Sequence, residues 1–300
     1  MKILNIGSCN IDYTYSVDHF IQPGETNSCI SMNIGCGGKG LNQSIALAKA
    51  GTPIYHGGIV GKEGVFLKEK LEEFGVNTDF VEVTPSPNGH AIIQVDKTAQ
   101  NCILLFSGTN HQFSEQYIDK ILSAFDKGDI LVLQNEINNI PYIINQASNK
   151  GLRIAFNAAP YNDTVREYPL DKVEWLIINE VEGAGLADSD DPAQIIPRLK
   201  SIYPSSKILL TLGTQGCRYF DGTEEYSMPS CKVDAVDTTA AGDTFIGYFM
   251  RGISDGLPVS ETLRLATVAS AIAVTRKGAA DSVPSYSEVV SSKLYQEFSC

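Results

Sequence analysis

The 300-residue chain is predicted to fold as an α/β protein with a mainly parallel central sheet and a small second sheet beside it, on three observations. Apolar runs recur at residues 3–6, 54–60, 91–95, 102–106, 130–133, 154–156, 175–178 and 208–212. Several are rich in Val and Ile without strict alternation, the mark of strands buried on both faces. Helical patterns lie between them, and those at 41–50, 65–74 and 117–125 run into Gly51, Gly75 and Gly128, where a helix C-cap belongs. Strand alternating with helix implies parallel crossover units. Two stretches break that rhythm. Residues 12–34 are polar and extended around Pro23-Gly24, and residues 88–106 hold two strand-like runs joined by 96–101. Both read as antiparallel strands, placed together as a small sheet over the main domain. Residues 1–11, 35–87 and 107–300 then form the large domain, and 12–34 with 88–106 a discontinuous lid. The last third turns helical, with apolar residues at i, i+1, i+4 and i+5 across 245–250 and an Ala-, Leu- and Val-rich run at 262–274.

Hydrophobic content of 43% and charged content of 19% suit a soluble globular chain long enough for one large core. The net charge of −12 argues against binding to nucleic acid or anionic membrane, which attract clustered Lys and Arg. An anionic substrate therefore needs a local positive site. The seven cysteines (Cys9, Cys29, Cys36, Cys102, Cys217, Cys231, Cys300) are odd in number, scattered and never spaced C-x-x-C, which suits reduced thiols better than disulfides or a zinc site. The first residues read as a strand rather than a signal peptide, and no run approaches the ~18 apolar residues of a membrane span. The expectation is a soluble cytoplasmic protein.

Among the motifs, Asp237-Thr238-Thr239-Ala240-Ala241-Gly242-Asp243-Thr244-Phe245 leads small residues into an acid at the start of an amphipathic helix. Backbone N–H groups of Ala240, Ala241 and Gly242 can approach a phosphate there, with Asp243 in reach of whatever attacks it. Alone, the segment reads equally as a helix cap. Gly35-Cys36-Gly37-Gly38-Lys39-Gly40 satisfies G-x-G-x-x-G, with Glu63 as a ribose acid, but it does not follow the first strand as a dinucleotide loop should. A Walker A loop is excluded because Gly40, not Ser or Thr, follows Lys39. What remains is a tight glycine turn opening a helix, with Lys39 and Asn42 in its first turn. Asn10 and Asp12 follow the first strand and can hold adjacent hydroxyls of a sugar or polyol, although in isolation they read equally as a capped turn. Glu136, Asn179, Glu182 and the turn 211–216 each follow a later strand, and this shared position suggests one cleft.

These residues carry a family resemblance. Gly37-Gly38-Lys39-Gly40-Leu41-Asn42 and the segment from Asp237 to Phe245 resemble the two signatures of the ribokinase-like (PfkB) carbohydrate kinases, in that order and about 200 residues apart. Similarity extends along the chain through Gly7-Ser8-Cys9-Asn10-Ile11-Asp12, Pro23-Gly24-Glu25, Asn179-Glu180-Val181-Glu182, Thr211-Leu212-Gly213 and the segment from Ala273 to Ala279. The resemblance implies a three-layer α/β/α domain with a small β-sheet lid. It implies ATP-dependent phosphorylation of a pentose, D-ribose to D-ribose 5-phosphate first, with Asp243 as general base and the amides of Ala240, Ala241 and Gly242 as an anion hole. Asn10, Asp12, Gly38, Lys39, Asn42 and Glu136 would hold the sugar. Asn179, Thr211, Gly213, Gly216, Gly242 and Thr267 would contact ATP, and Glu182 would order Mg²⁺ through water. Asp237, Thr239, Ala273, Arg276, Gly278 and Ser282 match a monovalent-cation (K⁺) site, several through backbone carbonyls. Ala280-Asp281 departs from the expected Gln-Pro and adds an acid beside that loop.

Other readings stay open. Within the family the substrate could be deoxyribose, a nucleoside or a phosphorylated hexose, although Lys97 is the single Lys or Arg in the lid segments, which disfavours a phosphosugar. A non-catalytic sugar or nucleotide sensor and an NAD-dependent oxidoreductase are the readings from other classes. By analogy a homodimer through the lid is expected, since apolar Ile30, Met32, Ile92 and Ile103 would gain from being covered.

Overall fold

The computed structural model describes residues 1–98 and 100–298, so Cys300 lies outside the described residues. The strands, in chain order, are β1 Ile3–Ile6, β2 Asn10–Ser16, β3 Ser31–Gly37, β4 Ile54–Gly61, β5 Asn77–Thr84, β6 His90–Val95, β7 Asn101–Phe106, β8 Ile130–Gln134, β9 Arg153–Asn157, β10 Trp175–Asn179, β11 Lys207–Thr211, β12 Cys217–Phe220 and β13 Glu225–Met228. The helices are α1 Lys39–Lys49, α2 Val65–Glu73, α3 Glu115–Leu122, α4 Ile140–Asn149, α5 Glu180–Ala187, α6 Pro192–Ile202, α7 Ala241–Asp255, α8 Val259–Val274, α9 Tyr286–Ser291 and α10 Lys293–Glu297.

Nine strands form the central sheet in the order β13-β12-β11-β10-β9-β8-β1-β4-β5, parallel from β11 to β5 and antiparallel at the β12 and β13 edge. Successive side chains of one strand enter opposite cores, as the pleat requires. Ile3 and Val132 pack with α1, α2, α7 and α8, while Leu4, Leu131 and Leu133 pack with α3, α4 and α6. Two of the three helices expected to stop at glycine do so, α1 before Gly51 and α2 before Gly75 at φ 82 and 80°. Helix α3 already ends at Leu122 with Ser123 as its C-cap, and Gly128, at φ 90°, turns the loop that leads into β8.

The small sheet has the order β3-β2-β6-β7. Its two hairpin-like pairs are antiparallel, as expected, but β2 and β6 join them in parallel, because both enter the sheet from the main domain. No strand occupies the described residues between β2 and β3. Strand β7 is exposed along its whole length. Among the described residues no helix is long and apolar enough to cross a membrane, and Cys9, Cys29, Cys36, Cys102, Cys217 and Cys231 are unpaired.

Candidate active site

Because β11, β10, β9, β8 and β1 lie side by side and parallel, their carboxyl ends line one edge of the sheet. Thr211, Asn179, Asn157, Glu136 and Ser8 come from that edge. Here the backbone leaves the ladder and its groups are free to meet helix starts or ligands.

Helix α1 begins at Gly38, whose φ of 93° suits glycine alone. A Cβ on Gly40 would lie 2.4 Å from the Ser8 amide nitrogen, so the helix start touches the end of β1 backbone to backbone. The first amides of α1 are all occupied. Lys39 N donates to Glu136 Oε2 at 2.9 Å, Gly40 N to Ser8 Oγ at 3.2 Å and Leu41 N to Ser8 O at 2.9 Å. Ser8 Oγ in turn donates to Glu136 Oε2 at 2.5 Å. Glu136 thus serves as the internal anion of this helix end.

Asn10 and Asp12 sit on β2 beside this turn. Asn110 Nδ2 donates to Asn10 Oδ1 at 2.6 Å, leaving the Asn10 amide nitrogen as the group it can offer a ligand. A Cβ on Gly37 would fall 2.1 Å from Asp12 Oδ2, so that glycine makes room for the carboxyl. Burial, with Glu136 nearby, pushes the Asp12 carboxyl up to about 7.

Helix α7 starts differently. Its N-cap Ala240 is left-handed at φ 56°, a strained conformation for a residue with a Cβ. Ala241 N bonds Thr238 O and Thr244 N bonds Ala240 O, and the exposed Gly242 amide between them has no partner among the described residues. A Cβ on Gly242 would meet nothing within 4 Å. One residue on, Asp243 is buried and takes two amide hydrogen bonds from α1, Asn42 Nδ2 to Oδ2 at 3.3 Å and Gln43 Nε2 to Oδ1 at 2.9 Å. Asn42 Oδ1 is buried without a partner among the described residues.

Two cavities meet at this turn, sharing Thr211, Thr238, Ala241 and Gly242. One, of about 320 Å³, is mainly apolar and includes Gly213, Gly216, Phe245, Thr267 and Val274. The other, of about 260 Å³, contains Lys39, Asn179, Glu182 and Asp243. Burial works against the Lys39 charge, yet the carboxylates of Asp243, Glu136 and Glu182 outweigh it and hold the ammonium above its ordinary range. Lys39 is the one Lys or Arg that lines either cavity among the described residues. Asn10, Asp12, Gly38 and Glu136 line neither cavity; they cluster beside Lys39 at the α1 turn.

Asn179 and Glu182 cap α5 reciprocally. Asn179 Oδ1 accepts from Glu182 N at 2.9 Å and Glu182 Oε2 from Asn179 N at 2.8 Å. Burial raises the Glu182 carboxyl, against the Asn179 amide and Lys39, which lower it. No cluster of three or more His, Cys, Asp or Glu suited to a metal exists among the described residues. A Mg²⁺ ion here would rest on Glu182 through water and on substrate phosphates, a mode this hard, strongly hydrated cation accepts.

Asp237 ties the α7 turn to the loop after α8, accepting from Thr239 N and Gly278 N, each at 2.9 Å. Burial opposes its charge, but these bonds and Lys277 hold the carboxyl below its usual range. Nearby, Arg276 N bonds Ala273 O, the Arg276 guanidinium pairs with Glu288 at 3.0 Å and Ser282 Oγ donates to Ala279 O. Asp281, the added acid, pairs with Lys70 at 2.8 Å.

Residues 1–286 match the family described as pfkB family carbohydrate kinase. The chain belongs to that family. This kinase is 34% identical over 308 aligned residues to the ribokinase of Schizosaccharomyces pombe, with 96% of each chain covered. It is 31% identical over 298 residues to the deoxyribokinase of Salmonella typhimurium, covering 95% of this chain and 96% of that one. Its fold matches the structure of Arabidopsis thaliana ribokinase complexed with ribose and ATP at a TM-score of 0.87, with 28% identity and 99% of both chains covered.

Sequence reasoning did not single out Gln43, Ser8 or Asn110 in this kinase, although each holds a site residue, nor Asn157, which holds Gln43. The available signal was Asn42-Gln43-Ser44, three polar residues opening a helix that continues apolar, all of them buried.

Proposed function

We propose that this kinase transfers the γ-phosphoryl group of ATP to the terminal hydroxyl of a pentose, converting D-ribose to D-ribose 5-phosphate. The observation that carries this reading is the open amide turn of α7 where the two cavities meet, with Asp243 held by Asn42 and Gln43 beside it. ATP would occupy the apolar cavity with its phosphates toward the open Gly242 amide at the Ala240-Ala241-Gly242 turn and toward Lys39 and Asn179; the Ala241 amide, expected to share that role, is instead turned to Thr238 O. Thr211, Gly213, Gly216 and Thr267 line its course. The sugar would sit against Asn10, Asp12, Gly38, Lys39 and Asn42, with Asn42 Oδ1 free to accept a hydroxyl. Glu136 would act mainly by orienting Lys39 and the α1 turn.

In this mechanism Asp243 removes the hydroxyl proton while that oxygen attacks the γ-phosphorus in line and ADP leaves. The α7 amides and the Lys39 ammonium take up the charge that develops on the phosphoryl oxygens. Glu182 would hold Mg²⁺ through water, and the ion would supply neutralisation of phosphate charge. A monovalent cation would lie by the loop of Asp237, Thr239, Ala273, Gly278 and Ser282, with Arg276 excluded as a side-chain ligand by its pairing with Glu288 and by its chemistry. Residues 12–34 and 88–106 would close over the sugar, and their exposed apolar residues support a homodimer through this sheet. Unpaired cysteines support a cytoplasmic setting.

The deoxyribokinase relative supports 2-deoxyribose as a second reading. ADP release measured with ribose, deoxyribose, adenosine and fructose 6-phosphate separates them, and ribose is expected to lead in kcat/KM by about tenfold or more. Asp243→Asn should keep sugar binding by calorimetry and lose about 10²-fold in turnover. Undiminished turnover in that variant would remove Asp243 from the mechanism.

A further inference from the structure

The base does not stand alone. Gln43 is fully buried and uses every polar group it has, Nε2 donating to Asp243 Oδ1 at 2.9 Å and to Asn157 Oδ1 at 3.2 Å, and Oε1 accepting from Gln134 Nε2 at 2.8 Å. Gln134 Nε2 also donates to Asn5 Oδ1 at 2.9 Å, and Asn5 Nδ2 donates to the Gly40 carbonyl at 2.8 Å and to Ser44 Oγ at 2.9 Å. On the other branch, Asn157 Nδ2 donates to the Ile177 carbonyl at 3.2 Å.

Direction along this network is forced. A side-chain amide can flip, but a backbone carbonyl only accepts. Gly40 O therefore fixes the nitrogen of Asn5, which fixes the nitrogen of Gln134 and then the oxygen of Gln43. Ile177 O fixes Asn157 in the same way. Both branches leave Gln43 presenting N–H to Asp243, and any single flip would set two buried oxygens face to face, which is costly in a low-dielectric interior. Packing gives the reach: a Cβ on Gly247, one turn after Asp243, would lie 2.4 Å from Ala46 Cβ, one turn after Gln43, so α1 and α7 touch nearly backbone to backbone.

We propose that Gln43 is the positioning residue of the phosphoryl-transfer base, set by an amide relay anchored on the Gly40 and Ile177 carbonyls, and that this relay keeps Asp243 oriented as a proton acceptor. The inference rests on Asp243 being that base. The charged groups facing Asp243 are Lys39 from α1 and Glu182 from α5. Both are unchanged in the variants below, so the ratio of variant to parent cancels their titration.

The test uses the full chain with saturating sugar and Mg-ATP. Gln43→Met, close in volume but without a donor, should lower kcat about tenfold with KM for sugar and ATP each within about twofold. Gln43→Glu should behave nearly as the parent at about pH 6, where the introduced carboxyl holds its proton and donates it to Asp243. It should fall about tenfold below the parent by about pH 8.5, because two adjacent carboxylates ionise together only at a cost. Gln134→Met, one link further back, should lose about threefold in kcat. Full kcat in Gln43→Met, or a flat Gln43→Glu to parent ratio across that range, overturns the proposal. So does a KM rise in step with the kcat loss. Should Gln43→Met fail to fold by thermal melting, the Gln43→Glu ratio decides. Asp243→Asn run alongside separates the two readings: activity kept there removes the base itself, whereas activity lost there with normal Gln43 variants removes only the relay.

Discussion

At the start of α1 the protein supplies its own anion, Glu136, and occupies each early amide; at the start of α7 it leaves the Gly242 amide open beside a buried acid. Both helices lack a side-chain cap and begin on a residue with positive φ, Gly38 at 93° and Ala240 at 56°. Both also carry a glycine in the first turn. On α1 that glycine is required by the protein's own backbone 2.4 Å away, and on α7 nothing lies within 4 Å. The same local design thus serves two ends. A helix start filled from within fixes architecture, and one left open is available to a phosphate.

This contrast can be broken experimentally, most forcefully at Gly40. Gly40→Ala drives a Cβ into the end of β1, where the obstacle is backbone that cannot rotate away, and should cost about 3 kcal/mol or more in denaturant unfolding. Gly242→Ala should separate stability from activity. Its Cβ enters open space, so the helix gains about 0.5–1 kcal/mol while kcat drops about tenfold as the methyl group intrudes on the phosphate. A drop in melting temperature for that variant would mean the turn is packed from within like its counterpart. The smallest effect is expected at Ala240→Gly, which relieves the left-handed cap and should stabilise the fold by about 1 kcal/mol in urea titration. If it destabilises instead, residue 240 is not held in the left-handed conformation that makes a Cβ costly there.

Much of this arrangement was legible in the chain because buried parallel strands and glycine-stopped helices leave strong local marks. Elements escaped where those marks are weak. Strand β5 lies at the sheet edge and mixes polar with apolar residues, and β12 and β13 are only four residues each. Helix α5 contains Gly183 and Gly185, and α6 carries Pro197 inside it, so neither shows a clean helical period. At the site, Asp243 and Asn42 stood out through their motifs. Gln43 did not, because its role exists only where α1 meets α7, 200 residues apart in sequence. Glu136 was expected as a sugar contact, and its hydrogen bonds to Lys39 N and Ser8 Oγ depend on a β1–β8 pairing that no local pattern announces.

Strand β7 has a practical consequence. Ile103, Leu104, Leu105 and Phe106 are 48–68% exposed on a strand whose outer backbone edge is unpaired. Such a ribbon is sticky toward any copy of itself, and Cys102 beside it is an accessible thiol. Material in which the proposed homodimer through this sheet has come apart should therefore accumulate non-native oligomers, sooner without reductant, and Leu104→Lys should slow that accumulation while weakening the dimer.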